Sequence, residues 1–154
     1  MTQTVVATAA DRLRYGAGGG LYRFVATAGE TGNTHFALEA TEPPGGGPPL
    51  HIHTREDEFF LVLEGEITFY VDGTIIRQGP GGSAFVPRGT PHCFKNTSDS
   101  FARLLVLFTP GDIEGFFEYG ALHNGQIPSE ERMLQRLNEL APEFGLEVLG
   151  PSPL

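Results

Sequence analysis

The densest group of chemistry-bearing side chains in this sequence is His51-Ile52-His53, Glu58 and, further along, His92. Two histidines separated by one residue point to the same side of an extended strand, because side chains alternate. A carboxylate follows within a few residues, and a third imidazole arrives after Pro87-Arg88-Gly89-Thr90-Pro91. Imidazole nitrogens with one carboxylate and no thiolate suit a single divalent transition metal ion (Fe, Ni, Mn, Cu or Zn) rather than Cu(I) or an iron–sulfur centre. A six-coordinate ion held by four such ligands keeps two positions open, enough for a bidentate substrate or for substrate plus dioxygen. A zinc ion held tetrahedrally by all four would be closed and structural. Strand parity alone pairs Asp57, not Glu58, with the two histidines. A turn within Thr54-Arg55-Glu56-Asp57 would reset the register in favour of Glu58.

Short strands must position these residues. Leu21 to Ala28 and Thr34 to Ala40 read as strands joined by a hairpin-like turn at Gly29-Glu30-Thr31-Gly32-Asn33. Glu42-Pro43-Pro44-Gly45-Gly46-Gly47-Pro48-Pro49 then breaks regular structure, since proline cannot donate to a ladder. Further strands follow over 50–53, 58–63, 66–71, 74–78, 83–86, 92–96 and 102–108, with tight turns at Glu64-Gly65 and Asp72-Gly73. Many short strands at close spacing mean an all-β sandwich or barrel. The glycine run at 16–20 follows no convincing strand and opens no helix, so it reads as a flexible turn and not as a nucleotide loop. After Thr109-Pro110-Gly111 the pattern turns helical. Asp112 is a candidate cap for a first helix carrying Ile113, Phe116 and Phe117, and Ser129 for a second. The second has an apolar stripe at Met133, Leu134, Leu137, Leu140 and Ala141, and residues 146–149 read as a last edge strand.

Gly45, His51-x-His53, Glu58 and Gly65 resemble the first motif of the cupin superfamily without a gap. Gly81, Pro87-x-Gly89, His92 and Asn96 resemble the second, fifteen residues further on. The spacing from Glu58 to Gly65 is the one the resemblance requires, so it selects Glu58 over Asp57. The resemblance implies a double-stranded β-helix (jelly roll, cupin barrel) with the metal inside it, held by His51, His53, Glu58 and His92. It also implies a homodimer in many members. The layout is most similar to small bacterial cupins of the quercetin 2,3-dioxygenase-like group. That implies a dioxygenase acting on a phenolic, flavonol-like or enol small molecule, with dioxygen as co-substrate and Glu58 as both ligand and catalytic base. An oxygen-independent isomerase, cyclase or lyase of a sugar or polyketide is the alternative, and a non-enzymatic small-molecule binding module the second.

The remaining features set bounds. One domain over residues 1–154 is expected, with an arm at 1–20, a β-barrel at 21–110 and a helical segment at 111–154. A net charge of -9 and a pI near 4.9 argue against nucleic acid and anionic membranes as partners. One cysteine, Cys93, allows no intrachain disulfide, and no signal peptide or apolar run of about 18 residues is present. A cytoplasmic setting is the expectation. Phe94 shares parity with His92 and should border the cavity, and Phe60, Phe69 and Phe85 are further candidate liners of a substrate pocket. Cys93 should turn away from the metal as a small buried residue. His35 and His123 fall outside both motifs and read as packing or surface residues. Arg23, Arg77 and Arg88 read as solvated surface, with recognition of a substrate carboxylate the alternative.

Overall fold

The computed structural model describes Thr4, Val6 and residues 12–120 and 129–154; His123 lies outside the described residues. Among the described residues two antiparallel sheets pack face to face. The first has six strands in the order β1 (Leu13–Tyr15), β2 (Leu21–Ala26), β3 (Phe36–Glu42), β10 (Ala102–Thr109), β5 (Asp57–Glu64) and β8 (Ser83–Val86). The second has five, in the order β11 (Leu146–Gly150), β4 (Leu50–His53), β9 (His92–Lys95), β6 (Ile67–Val71) and β7 (Thr74–Gln78). Strands distant in sequence lie side by side, and the fold is the all-β jelly roll that the family resemblance implies, within the sandwich-or-barrel class expected from the strand pattern.

Alternation decides what each strand contributes to the interior. Strand β5 buries Glu58, Phe60 and Val62 and turns Phe59 and Leu61 outward. Strand β10 buries Ala102, Leu104, Val106 and Phe108, and β3 buries Phe36, Leu38, Ala40 and Glu42. Their apolar members join Ile67, Phe69 and Phe94 from the opposite sheet in one core. Burial of these side chains is what holds the sheets together.

Several local expectations are revised. The hairpin-like turn at 29–33 begins as a short helix, α1 (Ala28–Thr31), closed by a capping box between Thr27 and Glu30. Thr31 Oγ1 donates to the His35 carbonyl at 2.6 Å, and β3 starts only at Phe36. Two reciprocal caps satisfy orphan amides that a plain turn would leave open. The glycine run is ordered as a short 3-10 turn at Ala17–Gly19 between β1 and β2. Gly65 joins no hairpin: with φ near +74°, it carries the chain from β5 in one sheet to β6 in the other. Asp72-Gly73, both at positive φ, do make the β6–β7 turn.

The helical segment contains α2 (Glu114–Phe117) and α3 (Glu130–Leu140). Ser129 caps α3 by accepting from the Arg132 amide at 3.3 Å. Asp112 caps nothing; it accepts from Asn33 Nδ2 at 2.9 Å. Met133, Leu137 and Ala141 are buried, whereas Leu134 faces outward. Among the described residues no helix is long and apolar enough to cross a membrane.

Candidate metal centre

The site lies between the two sheets. His51 and His53 project from the buried side of β4, and His92, paired directly with His51, projects from β9. Glu58 faces them from β5 of the opposite sheet. The loop before β4 fixes the approach. Gly45 N–H donates to the Asn96 carbonyl at 2.8 Å, and Asn96 N–H donates to the Gly46 carbonyl at 2.9 Å. A Cβ on Gly47, at φ near +148°, would stand 2.2 Å from the Phe94 carbonyl oxygen. Only glycine lets the loop come that close to β9.

The register between His53 and Glu58 is reset by Thr54 and Arg55, which leave the strand. Thr54 N–H and Oγ1 donate to the Gly145 carbonyl at 2.9 and 2.6 Å, and Arg55 donates to the Glu143 carbonyl at 2.9 Å. Asp57 then points outward and takes three hydrogen bonds from Arg88, at 2.9 to 3.1 Å, which lower its pKa. Arg88 is thereby engaged at the surface. Arg23 pairs with Glu39 and Arg77 with Glu66, and none of the three arginines lines the cavity. His35 bonds Thr34 Oγ1 away from the site.

One donor atom from each of His51, His53, Glu58 and His92 lies within 4.8 Å of all the others. Glu58 Oε2 is 2.7 Å from His92 Nε2 and 3.3 Å from His53 Nε2, and the Nε2 atoms of His51 and His53 are 3.2 Å apart. Bond lengths of about 2.0–2.2 Å from a central ion to N and O ligands are compatible with these separations. Two facing ring nitrogens at such a distance call for a proton or a cation between them. His51 Nδ1–H donates to the Pro49 carbonyl and His92 Nδ1–H to the Thr90 carbonyl, each at 2.8 Å. Both rings therefore present Nε2 to the centre. Burial, aided by neighbouring His53 and His92, drives the His51 pKa well below the usual value and keeps its lone pair free. Burial works against charge on His92 too, but the Glu58 hydrogen bond, its negative charge and the Thr90 carbonyl outweigh it and raise the pKa. The donor set fits a divalent transition metal ion.

Above the four residues is a cavity with about 70 Å³ of free space. Its apolar wall includes Leu38, Phe94, Val106, Phe108, Phe116 and Phe117, and Tyr22 and Tyr119 add phenols. Of the four phenylalanines expected there, only Phe94 lines it. Phe60 and Phe69 are buried beneath, their ring centroids 5.6 and 6.4 Å from that of Phe94. Phe85 stands opposite the outward-facing Phe59 and is 62% exposed, because β8 presents that parity to solvent. Cys93 is buried on the other side of β9, 3.6 Å from Ser152 Oγ. Sequence reasoning placed Phe116 and Phe117 only on a helix beyond the barrel; both lie in the cavity wall. It missed Tyr22, Phe108 and Leu137, although the alternation of β2 and β10 marks Tyr22 and Phe108 as inward-facing.

Residues 38–108 match the family model described as the cupin domain. A quercetin 2,3-dioxygenase of Bacillus subtilis (strain 168) is 30% identical over 135 residues, covering 85% of this chain and 40% of that protein. The chain spans less than half the length of the curated relatives it matches. Among solved structures, the polyketide cyclase RemF from Streptomyces resistomycificus is 25% identical with a TM-score of 0.59, over 70% of this chain and 80% of that one. A predicted oxalate decarboxylase of Thermotoga maritima shares the fold with a TM-score of 0.61 at 21% identity, over 69% of this chain and 99% of that one.

Proposed function

Because the chain belongs to the cupin superfamily, we propose that it is a metal-dependent enzyme, a dioxygenase of an enol or phenol carrying adjacent oxygen atoms. The observation that carries this reading is the convergence of three imidazoles and Glu58 at the polar end of an otherwise apolar, aromatic cavity. An Fe, Ni, Mn or Cu ion bound there would supply Lewis acidity toward the substrate oxygens and a route for electrons to dioxygen.

The chain's own residues do the rest. His51, His53 and His92 fix the geometry. Glu58 Oε2, at the centre of the group, is placed to accept the hydroxyl proton of the substrate and hold it during the reaction. Phe94, Phe108 and Phe117 offer ring faces and edges to a planar ligand and exclude water. The free space is small beside the roughly 300–1,000 Å³ of ordinary ligand pockets. A compact enol or a monocyclic phenol therefore suits this cavity, and a flavonol requires Phe116 and Phe117 to give way. The 30% identity to a quercetin 2,3-dioxygenase supports the dioxygenase over other chemistries.

Dioxygen uptake by metal-loaded protein, measured with a small 1,3-diketone, a catechol and a flavonol, tests the proposal. Uptake is expected with at least one of them and is lost in Glu58→Gln and His92→Ala. Product formed equally with and without air would sink it in favour of an oxygen-independent cyclase or isomerase, the reading supported by the likeness to a polyketide cyclase. Ligand binding unchanged by chelation would favour a non-enzymatic binding module. A homodimer in the cytoplasm belongs to the same proposal. Outward-facing Phe85, Ile75 and Ile76 are surface a second copy would cover, and sedimentation of the purified protein tests that.

A further inference from the structure

The three imidazoles of the candidate centre are not held alike. His51 and His92 each give Nδ1–H to a backbone carbonyl two residues upstream, Pro49 and Thr90. The equivalent residue for His53 is His51, which lies inside β4 and is paired with Val148 of β11. Its Nδ1 is buried and has no hydrogen-bond partner among the described residues. Immediately downstream, Thr54 and Arg55 spend their polar groups on Gly145 and Glu143. Glu56 then turns inward. Its side chain is fully buried, neither oxygen is hydrogen-bonded among the described residues, and Oε2 stands 3.7 Å from His53 Nδ1.

A buried carboxyl group without a partner and a buried ring nitrogen without a partner are each unfavourable. Here they face each other. We infer that Glu56 is the positioning residue of His53, accepting Nδ1–H and aiming Nε2 at the centre. This rests on the metal reading of His51, His53, Glu58 and His92. Less than about 1 Å of closure brings the pair to hydrogen-bond distance, which a small rotation of the ring supplies. All three rings then share one tautomer, with Nε2 directed inward.

The test compares wild type with Glu56→Gln, which keeps the shape, and Glu56→Leu, which removes the acceptor. Imidazole nitrogen–proton NMR spectra of the metal-stripped protein read the His53 Nδ1–H directly. Chelator competition with zinc as the probe reads affinity. In both variants the His53 Nδ1–H signal should shift while those of His51 and His92 stay in place. Zinc affinity should fall roughly 10–100-fold, with more loss in Glu56→Leu. An unmoved His53 signal, or zinc affinity within about twofold of wild type (against the 10–100-fold of a lost outer-shell partner), overturns the inference. Wild-type protein that takes up no zinc overturns the metal reading on which it rests. The two failures are distinct, since the first leaves zinc uptake normal and equal in all three proteins.

Discussion

Glu58 and Glu42 are both buried acidic residues at inward positions of strands that flank β10, and they meet burial in opposite ways. Glu58 is paired across β10 near Phe108, and Glu42 near Ala102 at the strand's other end, roughly 20 Å away along the chain direction. Around Glu58 stand three imidazoles, two of them within 3.3 Å of one of its oxygens. Around Glu42 stand Gly20, Gly46 and the Tyr22 ring, and among the described residues neither carboxyl oxygen completes a hydrogen bond. Burial pushes the Glu42 pKa up to about 8, against a small opposing effect of the Tyr22 hydroxyl. The contrast teaches what makes a buried acid a site: its neighbours must be able to share a proton or a cation with it. Glu42 has only the Tyr22 hydroxyl within reach, no imidazole and no cationic side chain, and keeps its proton instead.

The largest expected break of this contrast is His92→Ala. It should reduce retention of a transition metal by more than the roughly 10–100-fold typical of losing an outer-shell partner, measured by elemental analysis after dialysis. Glu42→Gln should leave metal content untouched.

The next effect is on folding. Between the ordinary carboxyl value of 4.5 and about 8, the folded chain holds a proton on Glu42 that the unfolded chain has released. Stability is therefore highest below that window and falls as pH rises through it, by on the order of 4 kcal/mol. Urea unfolding at pH 5 and pH 8 checks this. Glu42→Gln should match wild type at the lower pH and exceed it at the higher. Equal slopes in the two proteins would show that Glu42 is not the group responsible.

A smaller change probes how tightly the corner is packed. Gly20 has ordinary backbone angles, φ -63° and ψ 148°, yet an added Cβ would stand 2.8 Å from Glu42 Oε2. Gly20→Ala should cost about 1–3 kcal/mol through overpacking, read as a drop in the unfolding midpoint. The smallest effect belongs to Asp57→Asn. Its side chain serves Arg88 at the surface, so metal stoichiometry should remain that of wild type.

The ligand candidates were legible because a polar constellation leaves fixed spacings behind. Parity places His51 and His53 together, and glycine and proline at set distances mark the turns that bring His92 alongside. The choice between Asp57 and Glu58 needed the turn at Thr54-Arg55, and the structure turns Asp57 to solvent. The cavity wall was much less legible. Tyr22, Phe108 and Phe117 come from distant segments, and no local pattern says which strands become neighbours. Phe85 illustrates the limit: a four-residue strand has an alternation but does not reveal which face is inward. Glu56 sits in a polar run that resembles a solvated turn. Glu42 continues the alternation of Phe36, Leu38 and Ala40, but the prolines after it mask the end of the strand.

One pairing has a consequence for how the protein is made. Strand β4, which bears His51 and His53, is flanked on its outer side by β11, with Leu146 opposite His53 and Val148 opposite His51. That partner is synthesised roughly 90 residues later, which at about 5–20 residues per second is an interval on the order of ten seconds. During that time the histidine strand has an open edge on the nascent chain. The outer edge of the candidate site thus closes only with the arrival of β11, and a ribosome stalled before residue 146 would carry the histidines without the strand that borders them.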